Sequence, residues 1–89
     1  MKVELKDLPK NGLVDFHATW CGPCKMMEPI VDKIQDSGIR VVRIDVDENP
    51  ELAEYFRVMS VPTFVGMKNG KEASRKVGAV PESELLKLL

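Results

Sequence analysis

The chain contains two cysteines, Cys21 and Cys24, which are separated by Gly22 and Pro23. An apolar run, residues 13–18, precedes the pair, and a stretch with helical periodicity begins at Cys24. The pattern therefore predicts a strand that ends near the first cysteine and a helix that contains the second. Two thiols this close can form an intramolecular disulfide and open again, which is a reversible two-electron redox reaction.

Length and charge restrict what the chain can be. The 89 residues predict one domain, residues 1–89. A formal net charge of −1 gives no electrostatic case for binding nucleic acid or an anionic membrane. No apolar run approaches the roughly 20 residues of a membrane span, and residues 1–7 contain no apolar signal core. We therefore expect a cytoplasmic protein, in which a lone Cys-x-x-Cys is typical of catalysis or metal binding rather than of a structural disulfide.

The hydrophobic pattern predicts an α/β fold. Strands are predicted at residues 1–5, 13–18, 40–46, 63–68 and 72–77, and helices begin at residues 24, 50 and 81. Asn69-Gly70 is a strong signal for a β-hairpin between the last two strands. Strands joined through helices are most simply parallel, so the order predicts a mixed sheet with helices on both faces. In the last helix Leu85, Leu86 and Leu89 should share the buried side.

The two cysteines should have different roles. A thiolate, rather than a thiol, attacks a disulfide. Cys21 lies at the predicted start of a helix, where unpaired N–H groups and the helix dipole favour an anion. Cys24 lies one turn further along and should be covered. These positions predict that Cys21 attacks a substrate disulfide and that Cys24 then resolves the mixed disulfide.

A metal site is the alternative interpretation of the cysteines. His17, Cys21 and Cys24 supply three possible ligands in an H-x3-C-x2-C spacing. A structural zinc site usually has four ligands, often from two separated pairs, and the chain has no second pair. We therefore expect neither a metal nor another cofactor.

Asp15 is a charge in the middle of a predicted buried strand. One interpretation is a buried acid that handles the proton of Cys24, with a pKa raised by burial. The other is an aspartate at a strand end that accepts a hydrogen bond from a backbone amide. Arg43, on a neighbouring strand, is a possible countercharge that would lower the pKa of Asp15, or else a solvated arginine at a strand edge. The sequence leaves both alternatives open.

A longer set of motifs resembles one known family. The string Asp15-Phe16-x-Ala18-x-Trp20-Cys21-Gly22-Pro23-Cys24-Lys25 is similar to the active-site signature of thioredoxins. The resemblance covers residues 13–89, and its further motifs are Pro29, Asp45-Val46-Asp47, Asn49-Pro50, Val61-Pro62-Thr63, Lys68-Asn69-Gly70 and Val77-Gly78-Ala79.

The resemblance implies a thioredoxin fold, with a central mixed sheet of four to five strands and about three helices. It implies that Cys21 is the exposed nucleophile, Cys24 the buried resolving thiol and Asp15 the buried acid, with Arg43 where the family commonly has lysine. Pro62 would be cis and would face the disulfide. The backbone of Val61 would bind an extended substrate.

The resemblance also implies a shallow docking surface for substrates. Trp20 would hydrogen-bond Asp47 through its indole N–H, or else it would only pack in the core. The residues implied for this surface are Trp20, Gly22, Pro23, Val61, Pro62, Gly78 and Ala79.

The function implied is that of a monomeric protein-disulfide reductase. Its partners would be disulfide-containing proteins and a separate thioredoxin reductase that recharges it. Gly22-Pro23 favours reduction, because the corresponding dipeptide in oxidants and isomerases of this fold often carries histidine. The alternative is a binding module that uses the fold rather than the thiols, and the intact cysteines argue against it.

Two features depart from the family pattern. Only twelve residues precede Leu13, enough for an edge strand and a loop but not for a full helix as well. His17 replaces an aromatic residue, usually tryptophan. His17 could tune the thiols or pack as a neutral ring, and we expect the neutral ring.

Overall fold

The computed structural model describes all 89 residues. Four strands form one sheet: β1 (Gly12–His17), β2 (Val41–Asp45), β3 (Thr63–Lys68) and β4 (Lys71–Val77). Three α-helices accompany it: α1 (Gly22–Asp36), α2 (Pro50–Tyr55) and α3 (Glu82–Leu86). One short 3-10 turn, Leu5–Asp7, precedes β1. None of the helices is long and apolar enough to cross a bilayer.

The sheet is mixed, as the pattern predicts, and its order is β2-β1-β3-β4. β1 pairs with β2 in parallel and with β3 antiparallel, and β4 runs antiparallel to β3. Asn69 and Gly70 connect β3 to β4 with φ angles of 54° and 79°. Both values are positive, which is what a tight hairpin turn requires and what asparagine followed by glycine adopts most readily.

Helices cover both faces of the sheet. Alternate residues of β1 point to opposite sides, so this strand contributes to the core on each face. On one face Val14 and Phe16 pack in a core that also contains Leu52 and Phe56 from the region of α2. On the other face a second core joins the sheet to α1 and α3, and its buried members are Leu13, Met27, Val31, Ile34, Phe64, Leu85 and Leu88. The face with α1 and α3 is the one on which Asp15 and His17 lie, since they alternate with Leu13 along β1.

The N-terminal segment is not a strand, so the prediction of an edge strand at residues 1–5 is wrong. The backbone of this segment bonds to the side chain of Asn49 instead of to a strand. Oδ1 of Asn49 accepts the N–H of Val3 at 2.7 Å, and its Nδ2 donates to the carbonyls of Met1 and Asp45. Val3 thereby joins the core on the α2 face. The prediction that no full helix precedes β1 is confirmed.

The C-terminal residues also differ from the pattern. Of the three leucines predicted to share the buried side, Leu85 is buried and Leu89 packs against the same core, whereas Leu86 is 49% exposed and Leu88 is buried instead. The helix ends at Leu86, so the next buried leucine follows at a spacing of three residues rather than four. Gly66 makes this packing possible, because a Cβ there would lie 2.3 Å from the carbonyl oxygen of Leu88.

Asn49→Ala should lower the free energy of unfolding by about 2 kcal/mol, because it leaves the buried N–H of Val3 without an acceptor. Urea denaturation measures this loss. Asn11→Ala is the matched control, since the Oδ1 of Asn11 also accepts a backbone N–H, from Asn69, but at an exposed position. We expect the control to lose less than about 0.5 kcal/mol. Equal losses in the two variants would contradict the anchoring role of Asn49.

Candidate active site

The cysteine pair lies where β1 gives way to α1. The N–H of Cys21 donates to the carbonyl of Ala18 at 3.2 Å, and this turn brings the chain from the end of the strand into the helix. α1 begins at Gly22, with Pro23 in its first turn, where no helical N–H is needed. Cys21 and Cys24 are joined by a disulfide with a Cα–Cα distance of 5.2 Å.

Cys21 is the N-cap residue of α1. Its Sγ accepts a hydrogen bond from the N–H of Cys24 at 3.1 Å. The first N–H groups of a helix have no partner within the helix and carry the positive end of its dipole. The sulfur of Cys21 therefore lies where a negative charge would be stabilised.

Both cysteines are buried, at 3% exposure for Cys21 and 7% for Cys24. The prediction that Cys21 is the exposed cysteine is therefore wrong for the disulfide form. The physical reason is a small apolar cluster: both cysteines pack with Ala18, and Val46 and Val61 pack against them. The exposed neighbours are instead Trp20, Gly22 and Pro23.

A second loop approaches the disulfide from the start of β3. The Val61–Pro62 peptide bond is cis. The carbonyl of Pro62 accepts the N–H of Gly78 at 2.8 Å, which ties this loop to the end of β4. No hydrogen bond within the protein uses the N–H or the carbonyl of Val61. Ala79, which follows Gly78 in the loop after β4, is exposed.

Trp20 presents its ring to solvent, with 69% of the residue exposed. Its indole N–H donates to Oδ2 of Asp47 at 2.8 Å. The hydrogen bond implied by the resemblance is therefore present, and Trp20 is not a core residue. The Trp20 ring and Val61 line one shallow pocket, and none of the residues that line it is charged.

Asp15 lies behind the disulfide, in the middle of β1. It is 7% exposed, and the backbone N–H groups that donate to side chains all have acceptors other than Asp15, so it is not a capping aspartate at a strand end. A cavity of about 350 Å³ adjoins it. The residues that line this cavity are Asp15, His17, Ala18, Thr19, Cys24, Lys25, Glu28 and Arg43.

Burial dominates the ionisation of Asp15. Burial, with a smaller contribution from the charge of Glu28, raises the pKa of this carboxyl from 3.8 to about 6, although His17 and Arg43 act to lower it. Arg43 lowers this pKa less than His17 does, and its guanidinium pairs with Asp32 and Gln35 on α1. The sequence left open whether burial or the charge of Arg43 determines the pKa of Asp15, and burial has the larger effect.

Sequence reasoning missed two members of this cavity. Lys25 and Glu28 carry charges on the exposed side of α1, where a solvated position would be the ordinary expectation. Glu28 follows Cys24 by four residues, and this spacing is the signal that could have placed both on one helix face.

Comparison with known proteins gives the family. The sequence model described as thioredoxin matches residues 2–89. Thioredoxin 1 of Nostoc sp. is 42% identical in an alignment 91 positions long, which covers 99% of this chain and 85% of that protein. The chain belongs to the thioredoxin family. A solved mutant thioredoxin from Halobacterium salinarum superposes with a TM-score of 0.83 at 41% identity, over 89% of this chain and 71% of that one. A bifunctional thioredoxin reductase/thioredoxin of Mycobacterium leprae is 46% identical in an alignment 81 positions long, which covers 88% of this chain and 18% of that protein.

The family and the geometry agree on the activity. Thioredoxins are disulfide reductases, and the Cys21–Cys24 disulfide supplies the redox pair. The chain is a thiol–disulfide oxidoreductase with the thioredoxin fold, as its motifs imply.

Asp15→Asn should change how stability depends on pH. The pKa of Asp15 is about 6 in the folded protein against an ordinary 3.8. As pH rises between these values the unfolded chain releases the proton first, so the fold loses about 3 kcal/mol of stability by the time pH exceeds 6. The unfolding free energy of the wild type minus that of the variant should therefore fall by this amount between about pH 3.5 and about pH 7.5. A difference that stays constant or grows would contradict the burial of an ionisable carboxyl.

Proposed function

We propose that this chain reduces protein disulfides in two steps, with Cys21 as the nucleophile and Cys24 as the resolving thiol. The observation that carries the assignment is the hydrogen bond from the N–H of Cys24 to the Sγ of Cys21 at the start of α1. This donor stabilises a thiolate at Cys21 in the dithiol form. Cys24 has no such donor and instead borders the cavity of Asp15.

The two steps balance without a cofactor. The Cys21 thiolate attacks one sulfur of the substrate disulfide, forms a mixed disulfide and releases the other sulfur as a thiolate that takes up a proton. Cys24 loses its proton, attacks the Sγ of Cys21 and releases the second substrate thiolate, which is also protonated. The substrate gains two electrons and two protons, and the chain is left with the Cys21–Cys24 disulfide described above.

Asp15 is proposed to accept the proton of Cys24. The carboxylate and Cys24 border the same cavity, and the carboxylate is not engaged by any backbone amide. A pKa of about 6 leaves most of the group ionised near pH 7 while keeping it a stronger base than an exposed aspartate. Arg43 and Asp47 would act only indirectly, Arg43 through its charge near Asp15 and Asp47 by holding the Trp20 indole.

Substrates are proposed to bind as extended segments across the loop at Val61. The unused N–H and carbonyl of Val61 are the groups that strand addition requires. The Trp20 ring would cover one side of such a segment, and the loop tied by the bond from Gly78 to Pro62 would flank the other. The surface proposed for substrate contact comprises Trp20, Gly22, Pro23, Val61, Pro62, Gly78 and Ala79.

The electron donor is proposed to be a separate thioredoxin reductase. Support comes from the Mycobacterium leprae relative, whose name joins a thioredoxin reductase to a thioredoxin. A cytoplasmic location accords with reductive chemistry. A monomer is supported by the two cores, which the helices and terminal segments of the chain itself close.

Substitution of each cysteine separates their roles. Cys21→Ser should abolish the reduction of insulin disulfides driven by dithiothreitol, whereas Cys24→Ser should accumulate mixed disulfides with its substrates. Turbidity follows the reduction, and nonreducing electrophoresis detects the trapped species. Mixed disulfides that form on Cys21→Ser instead would reverse the assignment.

Backbone pairing at Val61 can be tested on the substrate. A peptide disulfide is N-methylated at one residue at a time on either side of its cysteine. At the one position that faces Val61, kcat/KM should fall about tenfold, since a lost hydrogen bond is worth about 1.4 kcal/mol at most. Methylation at the alternate positions, whose N–H groups point away, is the control. A uniform effect along the peptide would argue against strand addition.

A further inference from the structure

His17 lies on the wall of the Asp15 cavity. The two residues alternate along β1 and therefore face the same side of the sheet. His17 is half-buried, and most of the residues that line the cavity with it are polar or charged. This environment differs from the apolar packing expected for an aromatic residue in its place.

Charged groups reach the cavity from three elements. β1 supplies Asp15 and His17, α1 supplies Lys25 and Glu28, and β2 supplies Arg43. Two further charged residues stand near these in the sheet but have partners elsewhere. Oδ1 of Asp45, opposite His17 in β2, accepts the N–H groups of Asp47 and Glu48, and Lys76 of β4 pairs with Glu84.

Among these groups, His17 and Glu28 can carry opposite charges beside the cavity that Asp15 borders. Arg43 is engaged by Asp32 on α1. Histidine is the side chain whose charge ordinarily changes between pH 5 and pH 8. Glu28 contributes the opposing influence, a negative charge at the same cavity.

We propose that His17 and Glu28 are positioning residues that act through Asp15 with opposite effects on its ionisation. Together they set the pH at which Cys24 resolves the mixed disulfide. Protonated His17 favours the Asp15 carboxylate, which is the form that can accept the Cys24 proton. Glu28 favours the protonated acid, which cannot. His17 thus extends resolution to lower pH, and Glu28 limits it. The inference rests on the proposed role of Asp15 in the second step.

The kinetic test separates the two steps with dipyridyl disulfide, an uncharged probe that releases one pyridinethione at the attack by Cys21 and a second at the resolution by Cys24. Stopped-flow absorbance gives the rate of the second release as a function of pH. His17→Phe should move the midpoint of this profile to higher pH by about half a unit, and Glu28→Gln should move it to lower pH by a similar amount.

Asp36→Asn is the matched control for Glu28→Gln. It removes an exposed carboxylate from the same helix, outside the cavity, and should leave the midpoint unchanged. Shifts of His17→Phe and Glu28→Gln in opposite directions are the expected result. Shifts in the same direction, or none, would overturn the proposal. His17→Asn repeats the test without a bulky ring if the phenylalanine variant folds poorly.

A second measurement does not depend on catalysis. His17 is the only histidine, so its ring signals can be followed by NMR without overlap. Coupling between two sites is reciprocal, so these ring signals should respond as Asp15 ionises, and Asp15→Asn should remove that response. Ring signals that behave alike in the wild type and in Asp15→Asn would overturn the coupling whatever the cysteine variants show. Loss of the response in Asp15→Asn together with no trapping by Cys24→Ser would instead contradict the proposed function.

Discussion

The burial of the four central residues of β1 is the constraint on which the rest of the structure depends. This strand is paired on both edges, with β2 and β3, and its alternate side chains enter the two cores on opposite faces. Every residue from Leu13 to Phe16 is buried as a result. The strand ends at His17, and the short turn after it fixes where Cys21 begins α1. The position of the redox pair is therefore set by a central strand of the sheet.

The same burial makes ionisation of Asp15 unfavourable. A carboxylate in the centre of a sheet is unfavourable unless it is paired or protonated, and Asp15 has no hydrogen bond from a backbone amide to offset its desolvation. The cavity beside it keeps its environment polar. Its neighbours there belong to β1, α1 and β2, so its pKa reflects the assembled structure rather than the local sequence.

The ends of the chain show how a short sequence closes two cores. The N-terminal residues cannot add a strand, because Asn49 already binds the backbone of Val3 and Met1. At the other end Leu88 lies against Gly66, where only a residue without a side chain leaves room. The side chain of Asn49 and the glycine at position 66 thus allow the two terminal segments to pack against the cores.

The sequence by itself determined the features whose causes are local. Gly22, Pro23 and the cysteine spacing specify the helix start, and Asn69-Gly70 specifies the hairpin, because these residues favour the required backbone conformations on their own. Tertiary structure alone decided the burial of Cys21, the partner of Arg43 and the cavity position of Glu28. It also decided the anchoring of Val3, which joins residues 46 positions apart. Such contacts depend on where separate elements pack together, and a local sequence pattern does not predict that packing.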